Sequence, residues 1–325
     1  MLSFYLDYTI FIDFIEKQPK DILKSDKEYH NLWNKLWEFI ESGSDLTLFN
    51  LPENLNEFEM RCITRLTEGR GNSKIFLDPF FKVPHKFKFN QDSFYQSILF
   101  IDENNEEFKK KYTNNNQFPI AFLDNYFELF KKVTFSNHPI VKSVRNNSGN
   151  FHSWLNLKDY LPFVTDVIIA DNYLFSDPSL LDVNFYEIVK ILYSIRPDLN
   201  LTIITYDNPR FPINIENFKK EIKNKLSQLK LKEKFDIVLL NSELKEHDRG
   251  IFTNFTRIKS GDSFNYFNTK GQVITKGTEL DFYSLTKPDY FNNTEIALNA
   301  LCESTNKTRL DKKSLNVVNR LFIQK

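Results

Sequence analysis

The stretch KEHDRGIFTNFTRIKSGDSF brings together side-chain types that handle negatively charged groups. His247 and Arg249 are two residues apart, so in an extended strand their side chains point to the same side. Asn254 follows five residues later, where a hairpin or a kinked strand can return it to that side. Gly261 and Ser263 complete the polar set. The spacing fits either a loop that positions reactive groups or a polar hairpin edge with a surface histidine.

The spacing H-x-R-x4-N-x6-G resembles the H-x-K-x4-D-x6-G motif of the phospholipase D superfamily. Arg249 takes the place of the lysine, and Asn254 takes the place of the aspartate. The resemblance covers about residues 160–290 and does not extend to the N-terminal half. It implies an α/β half-domain in which the motif follows a buried strand.

The resemblance also implies a role for each residue. In that family one histidine attacks phosphorus and becomes a phosphohistidine, while a second histidine protonates the leaving oxygen. His247 is then the nucleophile of a phosphodiesterase that needs no metal or other cofactor, and Arg249 holds the phosphate oxygens with its planar guanidinium. Asn254 orients the histidine or the phosphate, as Asn does in tyrosyl-DNA phosphodiesterases of the superfamily. Gly261 lets the backbone approach the ligand, and Ser263 adds a hydroxyl donor.

The chain departs from the family pattern in two ways. The family tail usually reads Gly-Ser/Gly-x-Asn, whereas this chain reads GDSF and has Phe264 where Asn is expected. No second motif is present, because none of the other histidines has Lys or Arg two positions later. A single motif fits a homodimer that brings two copies of His247 together, which predicts a nuclease, for instance in bacterial antiviral defence. It also fits a non-catalytic, phosphate-binding adaptor subunit with a protein partner.

Charge and cysteine content restrict the classes of function. The chain has 43 basic and 43 acidic residues, so nucleic acid can be bound only through a local basic patch. Cys62 and Cys302 show no ligand or disulfide spacing, which indicates a reducing compartment. The apolar N-terminus carries Asp7 and Asp13 without a basic region, and no uncharged stretch approaches the length of a membrane span. We therefore expect a cytoplasmic protein that does not contact a membrane.

Strand and helix patterns alternate along the chain, which predicts an α/β fold with mixed sheets flanked by helices. The predicted strands are 46–51, 74–80, 97–102, 165–174, 201–207 and 235–241. The predicted helices are 26–42, 54–69, 118–133, 179–195 and 214–234. The polar stretch 143–156 suggests a joint between two packed halves. We expect an N-terminal α/β domain of unknown role at 1–150 and a phospholipase-D-like domain at 151–325.

Other candidate sites are weaker. Asp166, Asp171, Asp177 and Asp207 flank strand ends, where acids can bind a metal but serve equally well as caps, the interpretation that we favour. The lysine-rich face of helix 214–234 can contact nucleic acid, although such charge runs are more often solvated surface. The sequence contains no P-loop and no GxGxxG, which leaves a nucleotide-hydrolysing motor or a dinucleotide-binding dehydrogenase without support.

Overall fold

The structure, a computed structural model, divides into two units. Unit 1 is Met1–Asn137 with Ser284–Asn292, and unit 2 is His138–Tyr283 with Asn293–Lys325. The structure describes residues 1–19, 26–68, 70, 73–78, 96–113, 119–136, 138–146, 148–206, 214–228, 235–240, 249–308 and 319–322. The division into functional domains at residue 150 stays a prediction.

Unit 1 contains a five-stranded sheet in the order β3-β2-β1-β4-β5, in which neighbouring strands pair in parallel. Its strands are β1 Leu2–Asp7, β2 Ser44–Phe49, β3 Ile75–Asp78, β4 Ser97–Phe100 and β5 Ile120–Ala121. Its helices are α1 Tyr8–Glu16, α2 Lys27–Glu38, α3 Glu57–Thr67, α4 Glu106–Thr113 and α5 Tyr126–Thr134, and a π-helical turn, Phe39–Gly43, follows α2. The apolar run that begins the chain is thus a central strand followed by a helix, and Asp7 caps that helix by accepting from Thr9 N at 2.9 Å.

The predicted helix 118–133 begins later than its periodicity suggests. Residues 120 and 121 form β5, which pairs with β4 through Leu99 and Phe100, and α5 starts only at Tyr126. The reason is tertiary, because a free edge of the buried strand β4 needs backbone partners. Aromatic residues fill the core on either side, as the abundance of Phe and Tyr predicts; Phe4 packs edge-on against Phe100 at 4.9 Å between ring centroids.

Unit 2 contains a seven-stranded mixed sheet in the order β6-β12-β11-β10-β7-β8-β9. Its strands are β6 Ile140–Val144, β7 Asp166–Ala170, β8 Asn200–Tyr206, β9 Phe235–Leu240, β10 Arg249–Thr253, β11 Thr256–Ser260 and β12 Thr278–Ser284. Its helices are α6 Phe185–Ile195 and α7 Ile215–Gln228, while α8 Pro288–Thr308 contains the third boundary between the units, after Asn292. Sheets flanked by helices in both units confirm the predicted α/β class. No described helix is both long enough and apolar enough to cross a membrane.

The strand register of unit 2 decides which residues can meet. Strands β7, β8 and β9 run parallel, so their carboxyl ends lie at one end of the sheet, which we call the carboxyl end. Strand β10 runs antiparallel to β7, and its residues Gly250 and Thr253 pair with Ala170 and Val167. The start of β10 therefore lies at the carboxyl end of the sheet. All five residues of β7 are buried, as expected for a central strand covered on both faces.

Candidate functional site at the carboxyl end of the unit 2 sheet

Arg249 is the first residue of β10, and its side chain is held from two directions. Its Nη1 donates to the carbonyl oxygen of Gly261 at 2.9 Å. Its Nε lies 3.9 Å from Oδ1 of Asp171, and its guanidinium carbon lies 5.6 Å from the ring centroid of Tyr173. The Arg249 side chain is 17% exposed, so solvent still reaches part of a largely fixed cation. A fixed guanidinium can bind an oxyanion without losing further side-chain entropy.

Asp171 follows the last residue of β7 and is the centre of the site. Its Oδ2 accepts from Ser263 Oγ at 2.7 Å and from the backbone N–H of Phe264 at 2.8 Å. Its Oδ1 accepts from the backbone N–H of Tyr173 at 2.9 Å and faces Arg249. Burial raises the pKa of Asp171, while these hydrogen bonds and the charge of Arg249 limit the rise. The carboxylate thereby joins three segments that are distant in sequence: the end of β7, the start of β10 and the loop after β11.

Asn265 contributes a second set of contacts at the same place. Its Nδ2 donates to the carbonyl oxygen of Tyr173 at 3.0 Å and to Ser263 Oγ at 3.3 Å. Its Oδ1 is buried and has no hydrogen-bond partner within the described part of the chain. A buried acceptor without a donor costs free energy, and ordered water, an ion or a ligand can supply the missing donor.

Counting the family tail directly from Gly261 passes over Asn265. That count assigns the last tail position to Phe264, which is a fully buried core residue packed against Trp154 at 6.2 Å between ring centroids. Allowing one extra residue, Asp262, aligns Ser263 and Asn265 with the Ser-x-Asn end of the pattern. The Ser-x-Asn spacing itself was the signal available in the sequence.

The loop that carries Ser263 and Asn265 rests on aromatic packing. The indole of Trp154 stacks on Tyr266, with 5.0 Å between centroids and an interplanar angle of 16°. The Tyr266 hydroxyl is hydrogen-bonded to Ser260 Oγ. Burial raises the pKa of Tyr266, which keeps its hydroxyl neutral and able to donate. These contacts connect the loop to the core of unit 2 next to Gly261, whose carbonyl oxygen accepts from Arg249.

Asn254 lies away from Arg249, at the other end of β10, and its predicted role in the site stays a prediction. Strand β10 is regular from Arg249 to Thr253, and the chain reverses only after Asn254, so the two ends of this segment are roughly 16 Å apart. Asn254 is fully buried, and its Oδ1 accepts the backbone N–H groups of Thr165 at 2.8 Å and Asp166 at 3.0 Å. Its side chain thus fixes the beginning of β7.

Three other predicted site residues have the following placements. Gly261 is exposed, and a Cβ there would lie 2.9 Å from Thr278 Oγ1, which explains the glycine by protein packing. The Ser263 hydroxyl donates its hydrogen bond to the Asp171 carboxylate, so it does not donate to a ligand in this arrangement. His247 lies outside the described residues.

The strand-end acids act as caps or ion-pair partners. Asp177 accepts from the backbone N–H of Ser179 at 2.9 Å and begins a 3₁₀ turn, as the cap interpretation predicts. Asp166 and Asp171 lie at opposite ends of β7 and cannot share a metal ion. The buried carboxylate of Asp166 is bound by Arg320, whose Nε lies 3.0 Å from Oδ2. Asp207 lies outside the described residues, and the part of the chain that is described contains no cluster of three potential metal ligands.

The basic helix predicted at 214–234 corresponds to α7. Two of its lysines pair within unit 2: Lys219 lies 3.4 Å from Asp236, and Lys225 lies 2.6 Å from Asp182. These ion pairs reduce the positive charge that the helix can offer to nucleic acid. They favour the solvated-surface interpretation of this charge run.

No protein-family model matches the chain, and no curated protein is detectably similar to it in sequence. Among solved structures, it is similar to the crystal structure of phosphatidylserine synthase from Haemophilus influenzae Rd KW20. The match has 14% identity and a TM-score of 0.33, and it covers 61% of this chain and 49% of that one. The matched region thus spans about half the length of the synthase, and a TM-score of this size does not establish a common fold.

Proposed function

We propose that unit 2 binds a phosphodiester through Arg249 at the carboxyl end of its sheet and that the chain is a metal-independent phosphodiesterase. The observation that carries this proposal is the fixed guanidinium of Arg249, held beside Asp171 and Asn265 at the end of a parallel strand array. Ligands bind at this end of open α/β sheets. Arginine suits the task because its planar N–H donors match two phosphate oxygens at once.

In the proposed reaction His247 is the nucleophile. Its ring nitrogen forms a bond to phosphorus while the bond from phosphorus to the leaving oxygen breaks. A separate group acts as the general acid and gives that oxygen a proton. Water then attacks the phosphohistidine: its oxygen bonds to phosphorus, the bond from phosphorus to the histidine nitrogen breaks, and the group that gave up its proton in the first step takes a proton from the water. Arg249 stabilises the negative charge on the phosphate oxygens in both steps. Because the chain has one such motif, we propose a homodimer in which the partner copy's histidine is the acid, with DNA or RNA as the substrate.

Hydrolysis assays with matched variants test this function. The substrates are bis(4-nitrophenyl) phosphate and single- and double-stranded DNA and RNA, each with EDTA present. Wild type should cleave at least one of them, and His247→Ala should lower kcat by several orders of magnitude, more than ~4 kcal/mol of barrier. His152→Ala is the matched control, because His152 is an exposed histidine of the same unit. Equal activity in these two variants, or activity that EDTA abolishes, would refute the mechanism.

Arg249 variants separate phosphate binding from turnover. Arg249→Ala should reduce activity as severely as His247→Ala, because it removes the charge that meets the phosphate. Arg249→Lys should keep activity, since lysine is the residue that the resemblance predicts at this position. If Arg249→Ala retains wild-type kcat/KM, the phosphate is bound elsewhere.

A non-catalytic binding subunit is the second candidate. It is favoured by the contacts that Arg249 already makes, since Asp171 faces its Nε at 3.9 Å and Gly261 accepts from its Nη1. Part of the guanidinium charge is thereby compensated before any ligand binds. This candidate predicts saturable binding of a phosphodiester that Arg249→Ala weakens, a stable protein partner, and no cleavage by wild type. Cleavage that depends on His247 would exclude it.

A further inference from the structure

We propose that unit 1 has a separate binding site for a small oxyanion with an apolar body, in a cavity that α2 and α5 line and that includes Lys35 in its wall. The cavity has a volume of about 420 Å³, within the range of small-molecule sites. A neighbouring cavity of about 190 Å³ shares Lys35 and Thr134 with it. This proposal is independent of the function proposed for unit 2.

The charges around the cavity leave one ammonium group under-compensated. Lys131 pairs with Glu28, and Lys287 pairs with Glu38 at 2.6 Å. Lys35 lines both cavities with members of these pairs and has no ion-pair partner among the described residues. Burial lowers the pKa of Lys35, the charges of Lys287 and Lys131 lower it further, and Glu38 only partly opposes them. A bound oxyanion would supply the missing negative charge.

Thr134 provides an independent indication of a ligand. It is 3% exposed, and its hydroxyl has no hydrogen-bond partner among the residues that the structure describes. A buried hydroxyl without a partner is unfavourable by itself, whereas an oxyanion beside Lys35 would accept its proton. Thr134 lines both cavities, so its side chain and that of Lys35 border the same space.

The remaining walls define the rest of the ligand. Leu32 and Phe135 give the larger cavity an apolar side, and Asn31 adds one amide. A cavity with one cationic end and one apolar side suits a phosphate monoester or a carboxylate that carries a short hydrocarbon or aromatic group. Comparing the affinities of inorganic phosphate, phenyl phosphate and hexanoate separates the contribution of the charged group from that of the apolar body.

Calorimetric titration of the full-length Arg249→Ala variant with these three ligands tests the site, because that variant lacks the phosphate contact proposed in unit 2. At least one ligand should bind saturably, and phenyl phosphate or hexanoate should bind more tightly than inorganic phosphate. Adding Lys35→Met should weaken binding about tenfold or more, since it removes the charge and keeps the apolar stem. Lys27→Met, on an exposed position of the same helix, should have no effect.

Two further measurements exclude a loss of binding through misfolding. Thr134→Val should raise the melting temperature without ligand, because it removes an unsatisfied hydroxyl, and should still weaken binding. In wild type, acetylation of Lys35 by acetic anhydride should fall when the tightest of the three ligands is present, while acetylation of Lys27 should not. The proposal is refuted if no ligand binds the Arg249→Ala variant, or if Lys35→Met and Lys27→Met bind equally. Loss of all phosphate binding in Arg249→Ala would refute this site while supporting the one in unit 2.

Discussion

Replacing Asn254 with alanine separates a structural role from a functional one. In the structure its Oδ1 accepts two backbone N–H groups at the beginning of β7, from Thr165 at 2.8 Å and Asp166 at 3.0 Å. Alanine would leave both donors buried without this acceptor, and each such loss costs about 1–3 kcal/mol. We therefore expect unit 2 to lose ~3 kcal/mol of stability, a large fraction of the roughly 5–15 kcal/mol typical of a domain.

Thermal unfolding measures this effect directly. A loss of ~3 kcal/mol corresponds to a fall of roughly 10 °C in the melting temperature of a domain of this size. Asn156→Ala is the matched control, because Asn156 is exposed in the same unit, and it should change the melting temperature by less than ~2 °C. Phosphodiester binding by the folded fraction should be unchanged in both variants. Weaker binding by Asn254→Ala with an unchanged melting temperature would refute the structural role and return Asn254 to the ligand.

Three other substitutions test the two ends of the unit 2 sheet. Burial alone would raise the pKa of Asp166, but its hydrogen bonds and charge interaction with Arg320 outweigh this and lower it. The ionised Asp166 therefore stabilises folded unit 2 above its unfolded pKa of about 3.9, and this stabilisation is lost as the pH falls through the lower pKa of the folded state. Arg320→Gln should abolish that acid dependence of the melting temperature and cost about 3–5 kcal/mol of stability at neutral pH. Gly261→Ala should destabilise unit 2 by less than about 1 kcal/mol, because the new Cβ would meet only the terminal Oγ1 of Thr278 at 2.9 Å, which can shift, and Thr278→Ala should remove that loss in the double variant. Asp171→Asn, measured by calorimetry with a phosphodiester, should weaken binding while circular dichroism shows a folded chain, because the amide cannot accept all the hydrogen bonds that hold the loop near the ligand; unchanged affinity would contradict the central position of this carboxylate.

The sequence predicted correctly those strands and helices whose hydrophobic pattern and capping residues lie within the segment itself. The run DVIIA is apolar after its first residue, and it is a strand buried on both faces. The amphipathic pattern of α3 and its flanking Asn56 and Glu59 correspond to a helix with a capping box. The pattern of 118–133 was misleading at its start, because the pairing of β5 with β4 is a contact between separate segments that helical periodicity cannot reveal.

The candidate site was only partly predictable for the same reason. The H-x-R spacing placed Arg249 on a strand near a site, and the structure does place it at the carboxyl end of the sheet. Asp171 meets Ser263 across 92 positions in the sequence, and no spacing rule connects them. The sequence does not show whether β10 kinks or stays regular, so it could not place Asn254 relative to Arg249.

The two ends of β7 differ in how completely their buried polar groups are satisfied. At the amino end, Asp166 is bound by Arg320 and Asn200, and the Asn254 side-chain carbonyl accepts two backbone donors. At the carboxyl end, Arg249 Nε and Asn265 Oδ1 are buried without a hydrogen-bond partner among the described residues, although both lie within a dense network. Folding stability alone would favour hydrogen-bond partners for the buried polar groups at both ends of β7, since each unpaired buried group costs about 1–3 kcal/mol. Under the proposed function, a phosphodiester bound by Arg249 would supply partners for the unpaired groups at the carboxyl end, where β10 begins.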